Sequence, residues 1–182
     1  MMKINQIEKL YHGTNQKFDV FDFNKSKNFK DFGKGYYLTT DFNQAQRWAQ
    51  KKGDKAKRAY IYSYDVADVQ TDSLKILELL QYDQKWLDFI SENRIEGTEP
   101  DYDIVYDRIA DNQCREISNT LLSYKQHRIS SGEAIERIRW KDAKANQYCF
   151  KSKEALDLLR NREVIVEYKD DSGKWLKEKL GD

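Results

Sequence analysis

Cysteine is nearly absent from this chain: two residues, Cys114 and Cys149, in 182. Two thiols make neither a disulfide scaffold nor a zinc site. Proline occurs once and glycine eight times, which excludes a proline-rich linker and a collagen-like repeat. Histidine occurs twice, and the sequence has no HxxxH, CxxC or HExxH pattern and no acidic tetrad, so no metal is expected. The phosphate-loop pattern and GxSxG are missing, and Phe32-Gly33-Lys34-Gly35 lacks the third glycine of a dinucleotide fingerprint. No apolar run approaches the roughly 20 residues that cross a bilayer. Met1-Met2-Lys3 leads into the polar Asn5-Gln6 rather than into a signal peptide's apolar segment. Charge of one sign is also lacking: 32 Lys and Arg against 31 Asp and Glu leave a net charge of +1, with no general attraction for nucleic acid. The expectation is a soluble, cytoplasmic protein that does not engage a membrane.

What is present is a globular composition, 39% hydrophobic, 13% aromatic and 35% charged, with enough apolar side chains for a core. Leu10-Tyr11-His12 reads as a short strand stopped by Gly13, and Phe18 to Lys34 as an ordered loop pinned by aromatics. Tyr36 to Thr39 reads as a strand. Asp41, with Gln44 three residues on, opens a helix whose apolar face is Ala45, Trp48 and Ala49, ended by Gly53. Tyr60, Tyr62 and Tyr64 alternate as in a strand. Asp72 opens a helical run through Ile76, Leu77, Leu79 and Leu80; a second run, Trp86, Leu87, Phe89 and Ile90, either continues it or follows a break near Asp83. Ile104 to Tyr106 is a strand. Cys114, Ile117, Leu121 and Leu122 fall at helical spacing, and Ser130 with Glu133 forms a capping box. Tyr148 to Phe150 is a strand, Ser152 opens a helix through Ala155, Leu156 and Leu159, and Val164 to Val166 is the last strand. Short, unevenly spaced strands argue for an α+β fold over a doubly wound sheet. One domain is expected over residues 1–168, followed by a charged tail over 169–182.

Charge is uneven locally. Five bases face one acid, Asp54, between Lys51 and Arg58, and seven acids face two bases between Glu92 and Asp111. Both stretches read as solvated surfaces, or the basic one as a recruiter of an anionic ligand. Cys149, inside an apolar strand, reads as a buried thiol. Polar residues at strand ends are the candidates for chemistry: His12 ahead of Gly13, Lys34 between two glycines, the Tyr36-Tyr37 pair, and Asn146-Gln147. A glycine lets a planar ligand approach the backbone, and one tyrosine of an adjacent pair faces each side of its sheet.

Taken in order, Tyr11-His12-Gly13-Thr14, Gly33-Lys34-Gly35-Tyr36-Tyr37-Leu38-Thr39-Thr40, Ala45 to Ala49 and Asn146-Gln147-Tyr148 resemble the ADP-ribosyltransferase superfamily. The likeness is to the branch of diphtheria-type toxins and poly(ADP-ribose) polymerases. More narrowly, the chain looks like the bacterial proteins grouped as domain of unknown function 3990, which share the His-Gly, Asp-Phe-Gly-Lys-Gly and late Gln segments. A segment like Asp103-Ile104-Val105 followed by Ile109-Ala110-Asp111 recurs there too. The resemblance covers most of residues 10–160. It implies a split pair of antiparallel sheets with flanking helices around an NAD cleft, and NAD as substrate. His12 would bond the adenosine ribose, Gly13 the nicotinamide carboxamide through its backbone, and Tyr37 would stack on nicotinamide. Thr14 joins the NAD-binding set, Tyr36 is assigned to the core, and Tyr62 and Tyr64 are left unplaced.

One residue departs from the pattern. Active transferases carry a glutamate where this chain has Gln147, and a neutral amide keeps the hydrogen bond without the negative charge. The loss corresponds to roughly 1–2 kcal/mol in the transition state, about 5- to 30-fold in rate; Glu8, Asp31 and Glu133 are candidate substitutes for the charge. The implied activity is mono-ADP-ribosyl transfer to an unidentified acceptor, protein or nucleic acid. His12, Tyr37 and Gln147 are the catalytic set. The role implied is a bacterial toxin or effector with an antitoxin or immunity partner, a detached domain of a larger system, or a phage-defence component. The alternatives are a weak or inactive NAD or ADP-ribose-binding module and an NAD glycohydrolase.

Overall fold

The computed structural model describes residues 7–67, 73–110, 116–141 and 146–178. The architecture is α+β. Strands β1 (Lys9–Thr14) and β2 (Tyr36–Leu38) precede helix α1 (Phe42–Gly53). Strands β3 (Arg58–Val66) and β4 (Ile76–Leu79), helix α2 (Gln84–Ser91) and strand β5 (Ile104–Asp107) follow. Helices α3 (Ile117–Lys125) and α4 (Ser131–Ile138) lead to β6 (Gln147–Phe150), α5 (Lys153–Leu156), β7 (Leu159–Lys169) and β8 (Trp175–Lys177). Two sheets run in the orders β1-β3-β7-β8 and β2-β6-β5-β4. The chain divides into two compact units, one drawn from Met1–Phe21, Tyr37–Thr71 and Leu156–Asp182, the other from Asp22–Tyr36 and Asp72–Ala155. Among the described residues, no helix is long and apolar enough to cross a membrane.

In the first unit the strand pairs β1–β3, β3–β7 and β7–β8 are antiparallel. Helix α1 begins where Asp41 accepts a hydrogen bond from the Asn43 N–H at 2.8 Å, satisfying one of the helix's open donors. Ala45 and Ala49 form its buried stripe and meet Ala59 and Ile61 of β3, with Tyr11, Phe42, Ile165 and Trp175 packed around them. Small side chains let helix and sheet approach closely, and Gly13 carries that furthest. A Cβ at Gly13 would lie 1.9 Å from the Ala45 carbonyl oxygen. Gly13 therefore does not stop β1, as its glycine identity suggests; it lies within the strand, where the α1 backbone leaves no room for a side chain. Trp48, expected on the apolar face, is 37% exposed. It sits about 60° around the helix from Ala45, and Lys51 and Lys52 lie over its ring. The stretch after residue 168, expected as a tail, supplies β8, because Trp175 finds the alanine-lined core. Leu159, expected in a helix, starts β7 instead.

In the second unit β5 and β6 are antiparallel, but β4 and β5 run parallel, so this sheet is mixed rather than wholly antiparallel. The connection from β4 passes through α2 before β5, a crossover that returns the chain in the same direction. Ile76 to Leu79, expected in a helix, form β4 by pairing with Ile104 to Asp107. A four-residue apolar run fits either period, and the partner strand decides. Asp72 and Cys114 lie outside the described residues. Helix α2 is capped by Asp83, which accepts from the Trp86 N–H at 2.8 Å, and α4 by Ser130, which accepts from the Glu133 N–H at 3.2 Å. Trp86, Leu87, Ile90, Ile104, Val105, Cys149 and Phe150 are fully buried and make this unit's core. Leu122, expected inside α3, is 43% exposed.

Candidate functional site

In the first unit the outer edge of β1 is lined by the residues that follow Tyr36. Tyr11 and Thr39 form an antiparallel bridge, with Tyr11 N–H donating to Thr39 O at 2.8 Å and Thr39 N–H donating to Tyr11 O at 2.9 Å. Backbone groups of alternate residues in a strand point the same way. Gly13 therefore directs its N–H and C=O to that same outer edge, one step beyond the bridge. Its carbonyl accepts from Lys52 Nζ at 3.2 Å. Thr39 also ties the bridge to α1, donating its hydroxyl to Gln44 Oε1 at 2.8 Å and accepting from Asp41 N–H at 3.1 Å.

His12 Nδ1 lies 2.7 Å from the Tyr37 carbonyl oxygen. A carbonyl only accepts, so Nδ1 carries the proton and, in the neutral ring, Nε2 is the acceptor. The ring is held from a second side by Phe18, edge-on at 6.0 Å. Phe18 in turn stacks on Tyr62 at 4.3 Å, and the Tyr62 hydroxyl accepts from Phe18 N–H and donates to Phe18 O. Tyr62 is buried, with its phenol pushed above the ordinary value by desolvation; it anchors the loop after β1 rather than offering a ligand-stacking face. Thr14 accepts from Gln16 N–H at 3.3 Å, closing the turn out of the strand. Tyr36 is 1% exposed while Tyr37 is half-buried, the division between neighbours that a pleated strand imposes.

The glycine-bracketed loop lies in the second unit and is fixed by its own contacts. Gly33 has a φ of 72°, in the left-handed region that favours glycine. A Cβ at Gly35 would meet Cys149 Sγ at 2.3 Å. Lys151 donates to the Phe32 and Lys34 carbonyls at 2.8 and 2.7 Å, and burial lowers its ammonium below the usual lysine range. Asp31 is bound by Arg94 and accepts from Ala110 N–H at 3.1 Å. Lys34, singled out between its glycines, pairs with Glu99 at 2.9 Å. Cys149 is fully buried.

His12, Gly13, Thr14 and Tyr37 thus fall in one unit, three on β1 and Tyr37 joined to His12 through its carbonyl. Gln147 lies in the other unit, half-buried at the start of β6 opposite Asp107. Of the candidate charges, Asp31 is committed to Arg94 and Ala110, and Glu133 pairs with Arg137 at 2.6 Å. Glu8 is exposed, and its carbonyl accepts from Val66 N–H. Lys52 enters the sequence reading only as part of the basic stretch and is not singled out there. Its signal is spacing: Ala45, Ala49 and Lys52 stand at i, i+4 and i+7 on α1, one helical stripe.

The arrangement places a backbone donor and acceptor beside an imidazole fixed through Nδ1 and a half-buried phenol ring. Such an edge suits a planar amide and a neighbouring hydroxyl. No curated protein and no solved structure matches the chain. Residues 8–161 match the model of the family described as Protein of unknown function (DUF3990), and over that span the chain belongs to this family.

Proposed function

We propose that the protein is an NAD-dependent mono-ADP-ribosyltransferase of the ADP-ribosyltransferase superfamily. The supporting observation is the His12–Tyr37 hydrogen bond beside the outward-facing backbone of Gly13. A primary carboxamide carries one acceptor and two donors, and Gly13 offers the complementary N–H and C=O. Through its Nδ1–Tyr37 contact the His12 ring is held in one orientation near the strand end, where the resemblance puts the adenosine ribose. Tyr37, half-buried, takes the stacking position against the nicotinamide ring.

The reaction breaks the bond between the nicotinamide nitrogen and the ribose carbon. The bonding pair leaves with nicotinamide, whose positive ring nitrogen is thereby neutralised, and positive charge develops on the ribose. The acceptor's nucleophile then forms the new bond to that carbon and gives up its proton. Nicotinamide departs without being protonated, so orientation and hydrogen bonding carry much of the acceleration. By the resemblance, Gln147 stands in the glutamate's sequence position, the one assigned to the hydroxyl next to the reacting carbon. The acceptor is a macromolecule; transfer of label from NAD in a lysate, followed by nuclease or protease, assigns it to protein or nucleic acid.

Gln147 also supports a second reading, an NAD or ADP-ribose-binding module in which the charge needed for turnover is lost. Nicotinamide release across a lysate screen separates the two. Under the transferase reading, Gln147→Glu raises turnover about 5- to 30-fold. Gln147→Ala abolishes turnover while NAD affinity stays within about ten-fold, roughly 1.4 kcal/mol. Absence of nicotinamide release from both wild type and Gln147→Glu replaces the transferase with the binding module.

A further inference from the structure

Four of the five bases between Lys51 and Arg58 sort into two groups. Lys57 pairs with Asp171 at 3.1 Å, Arg58 with Glu178 at 3.1 Å, and Asp54, the stretch's acid, with Lys169 at 2.6 Å. These contacts staple α1's end and β3 to the β7–β8 hairpin. Lys51 and Lys52 turn the other way. Their ammonium groups sit 5.3 and 5.7 Å from the centroid of the exposed Trp48 ring, and Lys52 Nζ is also 3.2 Å from the Gly13 carbonyl oxygen.

That carbonyl is the acceptor half of the edge assigned above to the carboxamide. An ammonium and an amide N–H are both donors, so they compete for it. Lys52 is exposed, and its head can leave the carbonyl by rotation of a flexible four-carbon stem. The exchange favours some ligands over others. A neutral amide displaces the ammonium and offers no anion in return. A ligand that joins an amide to phosphates offers the displaced ammonium a charge-assisted hydrogen bond, stronger than the one to a neutral carbonyl.

We infer that Lys52 is a specificity-determining residue of the β1 edge: it holds the Gly13 carbonyl until an amide-bearing, phosphate-bearing ligand arrives, then transfers to a phosphate oxygen. The edge thereby discriminates a dinucleotide from free nicotinamide. This inference rests on the carboxamide-binding reading of Gly13 given above.

The test is calorimetry at low ionic strength with NAD and with free nicotinamide, using the whole chain as wild type, Lys52→Met and Lys52→Arg. Lys52→Met is expected to weaken NAD binding about 5- to 10-fold, by loss of the charge-assisted contact. It is expected to tighten nicotinamide about 2- to 5-fold, by removal of the competing donor. Lys52→Arg, which keeps the cation, returns NAD affinity to within about two-fold of wild type. NAD affinity of wild type falls with added salt more steeply than that of Lys52→Met, because the lost contact is a screened one. A Lys52→Met variant that shifts both ligands by the same factor, or neither, overturns the role of Lys52 while leaving the NAD reading in place. Wild type that binds neither ligand removes the reading of the edge and this inference with it.

Discussion

Gly13→Ala is expected to destabilise the protein by about 3 kcal/mol, the upper part of the usual range for overpacking. The added Cβ would lie 1.9 Å from the Ala45 carbonyl oxygen and 2.9 Å from the Ala49 nitrogen. Both are backbone atoms of α1, so no side chain can rotate away; the helix must lift off β1 and uncover Ala45, Ala49, Ala59 and Ile61. For a chain of this size the melting midpoint should fall by roughly 6–12 °C. In denaturant, the midpoint should fall while the slope stays unchanged. Gly132 supplies a control of opposite sign. It lies in α4, and a Cβ there meets nothing within 4 Å, so Gly132→Ala should stabilise by about 0.5–1 kcal/mol through helix propensity. A Gly13→Ala change within about 0.5 kcal/mol of zero, the ordinary surface range, would contradict the close helix–strand contact. The result also bears on function: lost NAD binding in Gly13→Ala reports displaced α1 and is no test of the carboxamide contact.

The second large effect is at Asp31. Its side chain is 3% exposed and that of Arg94 16%, so water screens the pair little. Asp31→Ala takes the carboxylate away from the Arg94 guanidinium and from the Ala110 N–H. Removing one partner of a buried pair costs about 3–5 kcal/mol. Asp31→Asn keeps an acceptor for Ala110 and loses only the charge, so its cost should be roughly half of that. Equilibrium unfolding of the three proteins checks the order, and hydrogen exchange at the Ala110 amide checks the mechanism. Faster exchange should accompany Asp31→Ala more than Asp31→Asn. A loss below about 1 kcal/mol in Asp31→Ala, the scale of an exposed pair, would show that the carboxylate is not buried as described. Asp31 belongs to the acids that sequence reasoning offers as a substitute for the missing glutamate; its commitment to Arg94 and Ala110 gives it a structural role instead.

Features written in neighbouring residues are legible from the sequence. Asp41 and Ser130 start helices because each short side chain reaches an N–H two or three residues ahead, and the alternating tyrosines of β3 follow from the pleat. Features that need a distant partner are not. Ile76 to Leu79 become a strand through Ile104 to Asp107, and Trp175 is recruited to an alanine-lined core built mainly from α1 and β3. The site divides the same way. His12, Gly13 and Tyr37 stand out as residue types in a recognisable order. That Tyr37 acts on His12 through its carbonyl, and that Gly13 makes room for α1, depends on the segment after Tyr36 and on α1 lying along β1. Lys52 is legible only as one member of a basic stretch, solvated or recruiting an anion, because its carbonyl partner is 39 residues away.

The proposed activity depends on NAD binding at the β1 edge with Tyr37 against the nicotinamide ring. Tyr37→Ala tests it most directly, because the substitution removes the ring and keeps the backbone carbonyl that orients His12. Loss of one stacked ring is worth about 1–3 kcal/mol. Titration calorimetry should therefore give NAD binding to wild type and an affinity about ten-fold or more weaker for Tyr37→Ala. Wild type that binds no NAD at about millimolar concentration, a Kd worth only about −4 kcal/mol, or a Tyr37→Ala variant that binds it as well as wild type, would contradict the account.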